Sequence, residues 1–265
     1  MDEARPTPAA PLLARHDAEG VTTLTLARPA RFNALSAALL AELHAALAQI
    51  AADPAVRVVV IAGAGPAFCA GHDLKEIQAA REPVAVRALF ERCAQVMQAI
   101  TALPQPVIAR VHGLATAAGC QLVATCDLAV ASSAARFATS GINAGLFCAT
   151  PAVPLSRNLP RKQALAMLLT GEFISAQQAL EYGLVNAVVA PEELDAKVTA
   201  LARLLCTKPR AAIAAGKQFF YRQAPLDLAA AYALATENMV CGVLAAEGIE
   251  GVDAFVGKRL PQWPA

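Results

Sequence analysis

Two stretches of small residues are the places where this sequence could carry out chemistry. Residues 111–127 (VHGLATAAGCQLVATCD) and residues 66–76 (PAFCAGHDLKE) each follow a buried apolar run and lead into a helical pattern. A strand that turns through small residues into a helix leaves unpaired backbone N–H groups at the helix start. The helix dipole favours negative charge there. Small residues at one turn more often indicate tight packing, but two such turns together predict an oxyanion hole.

Few titratable side chains accompany these turns. His72, two residues beyond Ala70, is the best candidate for a base or a hydrogen-bond donor. The alternative is a loop histidine bonded to the backbone. We expect Asp73 to cap the helix that follows it and Asp127 to be a buried structural hydrogen-bonding residue. The sequence offers no Cys-His or Ser-His-Asp arrangement, and we expect the cysteines to be small buried apolar residues at positions 69, 120 and 148.

Composition excludes several classes of protein. The 265 residues carry a formal net charge of +1 with both signs interspersed, so we expect no nucleic-acid partner. Hydrophobic residues make up 57% of the chain, but no uncharged apolar run is long enough for membrane insertion. Seven cysteines without a Cys-x-x-Cys pair favour reduced thiols, and the four histidines show no metal-ligand spacing. With an acidic N-terminus that lacks an apolar core, these features predict a soluble cytoplasmic protein without a metal site.

An alternation of strands and helices must position the two turns. Apolar runs predict strands, the first two of which form a hairpin, at residues 12–15, 21–26, 57–62, 107–111 and 128–131. Helical patterns begin after Ser36 and Asp73 and again at Pro83, and from Arg161 onward the patterns are mostly helical. This order predicts an α/β core with a helical C-terminal segment. We assign a flexible tail, a core and a helical region to residues 1–10, 11–195 and 196–265.

Six sequence blocks carry a resemblance to a known family. They are RPARFNALS at 28–36, FCAGHDL at 68–74, HGLATAAGCQLVATCDLAVAS at 112–132, FATSGINAGL at 137–146, PRKQALAMLLTGEFISAQQALEYGLVN at 160–186 and AFVGKR at 254–259. In these blocks, which extend over nearly the whole chain, the sequence resembles the crotonase (enoyl-CoA hydratase/isomerase) superfamily. Within it, ATAAGCQL, FATSGIN and GLFCATP look most like the subgroup of enoyl-CoA hydratase domain-containing protein 3.

The resemblance implies a fold, an assembly and a ligand. The fold would be a crotonase-like spiral of β-β-α turns, with a helical C-terminal region that mediates trimer, then hexamer, assembly. The ligand would be an acyl-CoA thioester, and no cofactor is expected beyond the coenzyme A that the substrate carries. Position by position, the backbone N–H groups of Ala70 and Ala118 would hold the thioester oxygen. Further contacts to the substrate would come from Arg31, Phe68, Gly71, His72, Asp73, Phe255 and Lys258.

The same resemblance exposes two departures in the residues that move protons. Hydratases of the family use two glutamates, and the matching positions here hold Gln121 and Gly141. Hydration needs one group to take a proton from water and another to deliver a proton to carbon. A glutamine amide can hold water but is not a useful base, and glycine has no side chain. Loss of one acid or base costs a factor of ~10²–10⁴ in rate, so ordinary hydration of a 2-enoyl-CoA is not expected.

Three hypotheses remain open at this stage. The first is an enzyme that uses the Ala70/Ala118 hole for another acyl-CoA reaction, such as isomerisation, decarboxylation or thioester hydrolysis. The second is a regulatory protein that binds acyl-CoA without efficient turnover. The third is a true hydratase with unusual groups, His72 first among them. Thr139, Ser140 and Asn143, which surround position 141, are candidates for holding water.

Overall fold

The computed structural model describes residues 11–264, so the tail predicted at residues 1–10 lies outside the described residues. The strands are β1 (Leu13–Ala18), β2 (Val21–Leu26), β3 (Val58–Gly63), β4 (Ala67–Cys69), β5 (Val107–Val111), β6 (Leu114–Thr116), β7 (Leu128–Ser132), β8 (Arg136–Ala138), β9 (Ile174–Ser175) and β10 (Ala187–Val189). The helices are α1 (Ala37–Ala52), α2 (Leu74–Ala79), α3 (Pro83–Ala102), α4 (Ala118–Thr125), α5 (Ala149–Asn158), α6 (Arg161–Thr170), α7 (Ala176–Glu181), α8 (Leu194–Cys206), α9 (Arg210–Gln223), α10 (Leu228–Leu244) and α11 (Ala246–Val256).

The larger sheet supports the two turns from behind. Its order is β1-β2-β3-β5-β7-β10, and all its pairs are parallel except the β1–β2 hairpin. Along β3, Val59 and Ile61 enter the main hydrophobic core, while Val58 and Val60 pack on the opposite face. Both faces of the parallel sheet are therefore covered, which explains why its strands are continuous apolar runs and not alternating patterns.

The smaller sheet brings the two turns together. Its order is β4-β6-β8-β9, and the first three of these strands have only three residues each. β4 pairs in parallel with β6, so the turn after β4 lies next to the turn after β6. Each turn of the chain thus contributes one strand to each sheet and then a helix, in the orders β3-β4-α2 and β5-β6-α4. The predicted α/β spiral of β-β-α turns is confirmed.

The C-terminal helices divide into one that covers the sheet and three that do not. Leu194, Val198 and Ala202 of α8 pack on the sheet face that carries Val58 and Val60. The core boundary that we place at residue 195 stays a prediction, but by its packing α8 groups with the core. α9, α10 and α11 expose many large apolar side chains, including those of Phe220, Leu228, Tyr232, Met239, Leu244 and Phe255. None of the helices described between residues 11 and 264 is long and apolar enough to cross a membrane.

A buried charge cluster ties α9 to the core. Lys217 donates to Asp127 Oδ2 at 2.6 Å, and the hydroxyl of Tyr221 donates to Asp127 Oδ1 at 2.8 Å. Asp127 Oδ2 also accepts the N–H of Val107 at 2.7 Å, at the start of β5. Burial lowers the pKa of Lys217, and the carboxylate of Asp127 opposes that shift. The prediction that Asp127 has a structural role is confirmed.

Candidate functional site

The turn at residues 70–72 lies directly against the start of α4. Gly71 has φ +92°, and a Cβ built on it would lie 2.9 Å from Ala117 Cβ and 3.1 Å from Ala118 N. A Cβ built on Gly119 would lie 2.0 Å from the carbonyl oxygen of Cys69. Only glycine fits at either position, because the two backbones touch where a side chain would begin. The absence of these side chains also keeps the first N–H groups of α4 uncovered.

The backbone N–H groups of His72 and Ala118 are free at this junction, whereas that of Ala70 is not. The N–H of Ala70 donates to the carbonyl oxygen of Phe32 at 2.9 Å, which contradicts its predicted role as a ligand donor. Leu35 N–H donates to Gly71 O at 2.7 Å, and Asp73 N–H donates to Leu35 O at 3.1 Å. Residue 72 lies between these two bonds in a parallel bridge, so its own N–H points away from Leu35. Within residues 11–264, no acceptor is found for the N–H of His72 or of Ala118.

The segment at residues 28–36 holds the turn in place. Arg28 Nη2 pairs with Asp73 Oδ2 at 2.9 Å. Burial tends to raise the pKa of Asp73, but the hydrogen bond and charge of Arg28, together with the N–H groups of Lys75 and Glu76, outweigh burial and hold that pKa below its usual value. Asp73 Oδ1 also accepts the N–H of Lys75 at 3.2 Å, so the predicted helix cap is confirmed. The ion pair therefore fixes the residue that follows the free N–H of His72.

Asn33 is a structural residue that sequence reasoning missed. Its side chain is fully buried, and Nδ2 donates to Ala64 O at 2.8 Å and to Ala67 O at 2.7 Å. Its Oδ1 accepts the N–H of Arg28 at 2.9 Å, and its φ is +54°. Asparagine tolerates this left-handed conformation better than most residues. The signal was present in the block RPARFNALS, but a buried asparagine cannot be told from an exposed one by type alone.

The start of α4 is set by an unusual backbone at Ala117. This residue has φ +50° and ψ −119°, a conformation that residues with a Cβ rarely adopt. Its N–H donates to Ala138 O at 2.9 Å, and its carbonyl oxygen accepts the N–H of Gln121 at 3.0 Å. Ala117 thus links the strand before Thr139 to the first turn of α4. Strained residues of this kind cluster at functional sites.

Three buried polar side-chain atoms near the junction have no partner. They belong to His72 (Nε2), Gln121 (Oε1) and Thr139 (Oγ1), and within residues 11–264 two further such atoms, on Gln105 and His112, lie outside this junction. Gln121 is 3% exposed and Thr139 is fully buried. An unpaired buried polar group costs about 1–3 kcal/mol, so three of them on the segments that form this junction indicate a site for a polar ligand or water.

His72 is poorly suited to act as a base at neutral pH. Burial lowers the pKa of His72 to about 4. Its ring packs edge-on against Phe90, with 4.9 Å between the ring centroids. A general base is most effective when its pKa is near the working pH, so a neutral imidazole with such a low proton affinity contributes little. The alternative prediction, that His72 bonds to the backbone through its side chain, is not supported either, because Nε2 has no partner within the described chain.

Position 141 has no room for a side chain. A Cβ built on Gly141 would lie 2.7 Å from Cys148 Sγ and 2.8 Å from Leu146 O. The thiol of Cys148 therefore fills the space where a residue at 141 would project. Burial raises the pKa of Cys148, and it raises the pKa values of Cys69 and Cys120 to about 12, so these thiols are protonated and unreactive. All three are buried, as predicted.

The remaining predicted substrate contacts are not gathered here. Phe68 is fully buried in the hydrophobic core, which corrects its predicted role, because a side chain enclosed on all sides cannot touch a ligand. Arg31 is exposed. Phe255 is 86% exposed and belongs to α11, which packs on α9 and α10. Lys258 lies two residues beyond the end of α11. Ser140 is already bonded to Thr116, with 2.6 Å between the hydroxyl oxygens. Residues 11–264 contain no group of three or more side chains placed to hold a metal ion.

Comparisons with known proteins agree with this architecture. The family described as enoyl-CoA hydratase/isomerase matches residues 16–265. A curated relative from Rattus norvegicus, enoyl-CoA hydratase domain-containing protein 3, mitochondrial, is 47% identical over 92% of this chain and 82% of its own length. A crystal structure of enoyl-CoA hydratase from Mycobacterium smegmatis superposes with a TM-score of 0.94 at 57% identity, covering 96% of this chain and 99% of that one. The human enoyl-CoA hydratase domain-containing protein 3 superposes with a TM-score of 0.93 at 44% identity, covering 96% of this chain and 100% of that one.

These comparisons confirm one prediction and contradict another. The resemblance to the subgroup of enoyl-CoA hydratase domain-containing protein 3 is confirmed. The prediction of a cytoplasmic location is wrong, because relatives from five vertebrates carry the word mitochondrial in their names. The prediction rested on cysteine usage and on the composition of the first residues. Reduced thiols fit more than one compartment, so cysteine usage could not decide between them.

Proposed function

The chain belongs to the enoyl-CoA hydratase/isomerase family, and from that premise we propose that it binds an acyl-CoA thioester between the N–H groups of His72 and Ala118. The thioester oxygen accepts from both groups. As the acyl chain reacts, the negative charge of an enolate collects on that oxygen. No cofactor is needed beyond the coenzyme A of the substrate.

The observation that carries this proposal is that two free N–H groups lie close to Gly71. One belongs to His72 and the other to Ala118. A Cβ built on Gly71 would lie 3.1 Å from Ala118 N, so these two backbones are in close contact. His72 directly follows Gly71 in the chain. Both donors are fixed by backbone bonds on either side, so they need no rearrangement when charge develops. One such donor contributes roughly 2.7–4 kcal/mol to a reaction that forms an oxyanion.

Plain hydration of a 2-enoyl-CoA is not the function that this geometry favours. Gln121 is neutral at every pH, position 141 has no space for a carboxylate, and burial lowers the pKa of His72 to about 4. The junction therefore has donors for the oxyanion but no group that moves protons well near pH 7. A reaction in this site must obtain its proton transfer from the substrate or from water.

A second candidate function is acyl-CoA binding without turnover. The same lack of a useful base supports it. The two candidates share the His72/Ala118 hole and differ only in whether a bound acyl-CoA changes in mass or exchanges its α-hydrogens. Mass spectrometry of acyl-CoA thioesters incubated with the protein in deuterated water separates them.

Assembly into a trimer, or a hexamer of two trimers, belongs to the proposal. The support is the apolar surface of α10 and α11, where Leu228, Tyr232, Leu244 and Val256 are each at least 68% exposed. Burying this surface between subunits would be favourable at ~25 cal/mol per Å². Phe255 and Lys258 would then contact the coenzyme A that a neighbouring subunit binds. Arg31 would face the phosphates of a bound coenzyme A. Light scattering on the purified protein measures the assembly directly.

The proposal is tested by removing one N–H group while keeping the backbone. Proline is well tolerated at the first position of a helix, so Ala118→Pro deletes the donor at a favourable site. Ala118→Gly is the matched control, because it changes the same side chain and retains the N–H. Calorimetric titration with butyryl-CoA should show weaker binding by about tenfold for the proline variant only. Equal weakening in both variants would contradict the assignment of Ala118.

A further inference from the structure

The turn that ends α11 contains a lysine in a strained conformation. Lys258 has φ +54°, a left-handed backbone that glycine usually supplies at this position of a helix end. The N–H of Lys258 donates to Phe255 O at 3.2 Å, and the N–H of Arg259 donates to Ala254 O at 3.0 Å. These two bonds form a Schellman motif with Lys258 as its left-handed residue. Gly257, which could adopt this conformation without strain, lies one residue earlier and has φ −76°.

The segment that follows this turn folds back along α11. We call residues 259–263 the C-terminal strap. Both terminal nitrogens of Arg259 pair with the carboxylate of Glu250, at 2.6 and 2.7 Å, and Glu250 Oε1 also accepts the N–H of Gln262 at 2.6 Å. The hydrogen bonds from Arg259 and Gln262 lower the pKa of Glu250 to about 2. Glu250 is therefore ionised at neutral pH and anchors the first part of the strap.

Trp263 anchors the far end of the strap. Its Nε1 donates to Thr207 O at 3.0 Å, directly after α8. Its half-buried ring lies against Gly251 of α11, where a built Cβ would be 3.4 Å from ring atom Cζ3. The start of α11 is held as well, because Glu247 accepts two N–H groups in the first turn of α9 at 3.0 and 3.1 Å. α11 and the strap are thus attached to the α8–α9 junction at both ends.

The strap supplies the constraint that the strained turn needs. A strained backbone persists only where the surrounding structure enforces it, and such residues cluster at functional sites. Glycine would form the same turn without strain, so the side chain of Lys258 is what the strained turn retains. That side chain ends in an ammonium group, which binds phosphate as a point charge. Because a fixed backbone has less freedom to lose on binding, a lysine held in this way binds an anion more tightly than one on a loose chain end.

We propose that the strap is a positioning device, whose anchors at Glu250 and Trp263 hold the backbone of Lys258 so that its ammonium group meets a phosphate of coenzyme A. The inference rests on the proposed acyl-CoA function, under which Lys258 contacts the coenzyme A that a neighbouring subunit binds. Glu250, Arg259 and Trp263 are positioning residues in this view. They act on the ligand through Lys258 and do not touch it.

The test compares two thioesters that differ in their phosphates. Butyryl-pantetheine has the acyl group and thioester of butyryl-CoA but none of its phosphates. In calorimetric titration of the full chain, Glu250→Gln and Trp263→Phe should each weaken butyryl-CoA binding about fivefold and leave butyryl-pantetheine binding unchanged. Glu19→Gln is the matched control, because it breaks a different glutamate–arginine pair, the one with Arg203. Both affinities of this control should equal those of the native chain.

Two further measurements separate positioning from a general loss of structure. Trp263 is the only tryptophan of the chain, so release of the strap in Glu250→Gln should move the tryptophan emission to longer wavelength. Lys258→Gly should relieve the strain and raise the urea midpoint, while it weakens butyryl-CoA binding about tenfold. Adding Glu250→Gln to Lys258→Gly should have no further effect on butyryl-CoA binding, because the residue that the strap positions is already gone.

The outcomes distinguish this inference from the function on which it rests. Failure of the native chain to bind either thioester would overturn both proposals. Native binding that Glu250→Gln leaves unchanged, whether or not the emission moves, would overturn the positioning role alone. Equal weakening of butyryl-CoA and butyryl-pantetheine in Glu250→Gln would also contradict it, as would an effect of Glu250→Gln that persists in the Lys258→Gly background.

Discussion

The N–H of Ala70 donates to the carbonyl oxygen of Phe32 at 2.9 Å, and this single bond decides which backbone group is left for a ligand. Gly71, with φ +92°, interrupts the extended chain between the Ala70–Phe32 bond and the Asp73–Leu35 bond. The N–H of Ala70 is used inside the protein, while the N–H of His72 points away from Leu35 and has no acceptor within residues 11–264. The oxyanion hole that we propose therefore uses the residue after Gly71 and not the residue before it.

Closing the gap at Gly71 should weaken acyl-CoA binding. In Gly71→Ala the added Cβ would lie 3.1 Å from Ala118 N and 2.9 Å from Ala117 Cβ, so the two donors must separate or be covered. Gly145→Ala is the control, because Gly145 has φ +77° but no atom within 4 Å of a built Cβ. Both variants should lose about 1–2 kcal/mol of stability from the strained φ. Only Gly71→Ala should weaken butyryl-CoA binding by more than about tenfold in calorimetry, and equal binding losses would argue against the hole.

Hydration of a short 2-enoyl-CoA should be slow in the native chain and should improve in Gln121→Glu. We expect native turnover below the ordinary enzyme range of ~1–10³ s⁻¹ and a gain of about 10²-fold in the variant. The assay measures the decrease in absorbance of the enoyl thioester. Gly141→Glu should not help, because its Cβ would meet Cys148 Sγ and Leu146 O within 2.8 Å. Native turnover in the ordinary range would show that another acid and base are present.

The protein should become less stable as the pH is lowered, because His72 is buried in its neutral form. Burial lowers the pKa of His72 from 6.5 to about 4. Between these two pH values, the imidazole is protonated in the unfolded chain but neutral in the folded chain. The free energy of unfolding should therefore decrease between pH 6.5 and 4, by an amount on the order of 3 kcal/mol. Urea unfolding of the native chain and of His72→Gln measures the difference. If the two proteins lose stability in parallel over this range, the imidazole is not buried in its neutral form.

Ala117→Gly should stabilise the protein. Relief of the φ +50° conformation is worth about 1–3 kcal/mol, while the added freedom of the unfolded chain costs about 0.4–1 kcal/mol. The net gain should be about 1 kcal/mol in urea unfolding. Ala124→Gly, in the last turn of the helix that follows, replaces a residue without positive φ and should instead lose about 1 kcal/mol. Destabilisation of similar size in both variants would mean that Ala117 carries no strain.

The long elements could be predicted from the sequence because their patterns are strong. Ser36 caps α1, Pro83 begins α3, and the apolar runs of β3 and β5 are found within one residue of their predicted ends. The small sheet was missed because strands of three residues, such as β4 and β6, are too short to show a period of two. α5 was missed because Pro151 and Pro154 lie within it, and prolines in a sequence usually indicate a loop.

The candidate site was predicted in outline and corrected in detail. Small residues identified both turns, but which N–H is free depends on the Ala70–Phe32 bond, a contact between positions far apart in sequence. In the same way, the loss of a glutamate at position 141 was visible, whereas the filling of its space by Cys148 was not. The partners of Asn33 and the lack of partners for Thr139 are likewise properties of packing and not of residue type.

The most direct test of the central claim measures the carbonyl bond of a bound thioester. Butyryl-CoA labelled with carbon-13 at its carbonyl gives an infrared band that moves to lower frequency when two N–H groups donate to the oxygen. At saturating protein we predict a clear downward shift with the native chain and with Ala118→Gly, and a smaller shift with Ala118→Pro. A band that stays at its position in water, or that shifts equally in all three proteins, would contradict the His72/Ala118 hole.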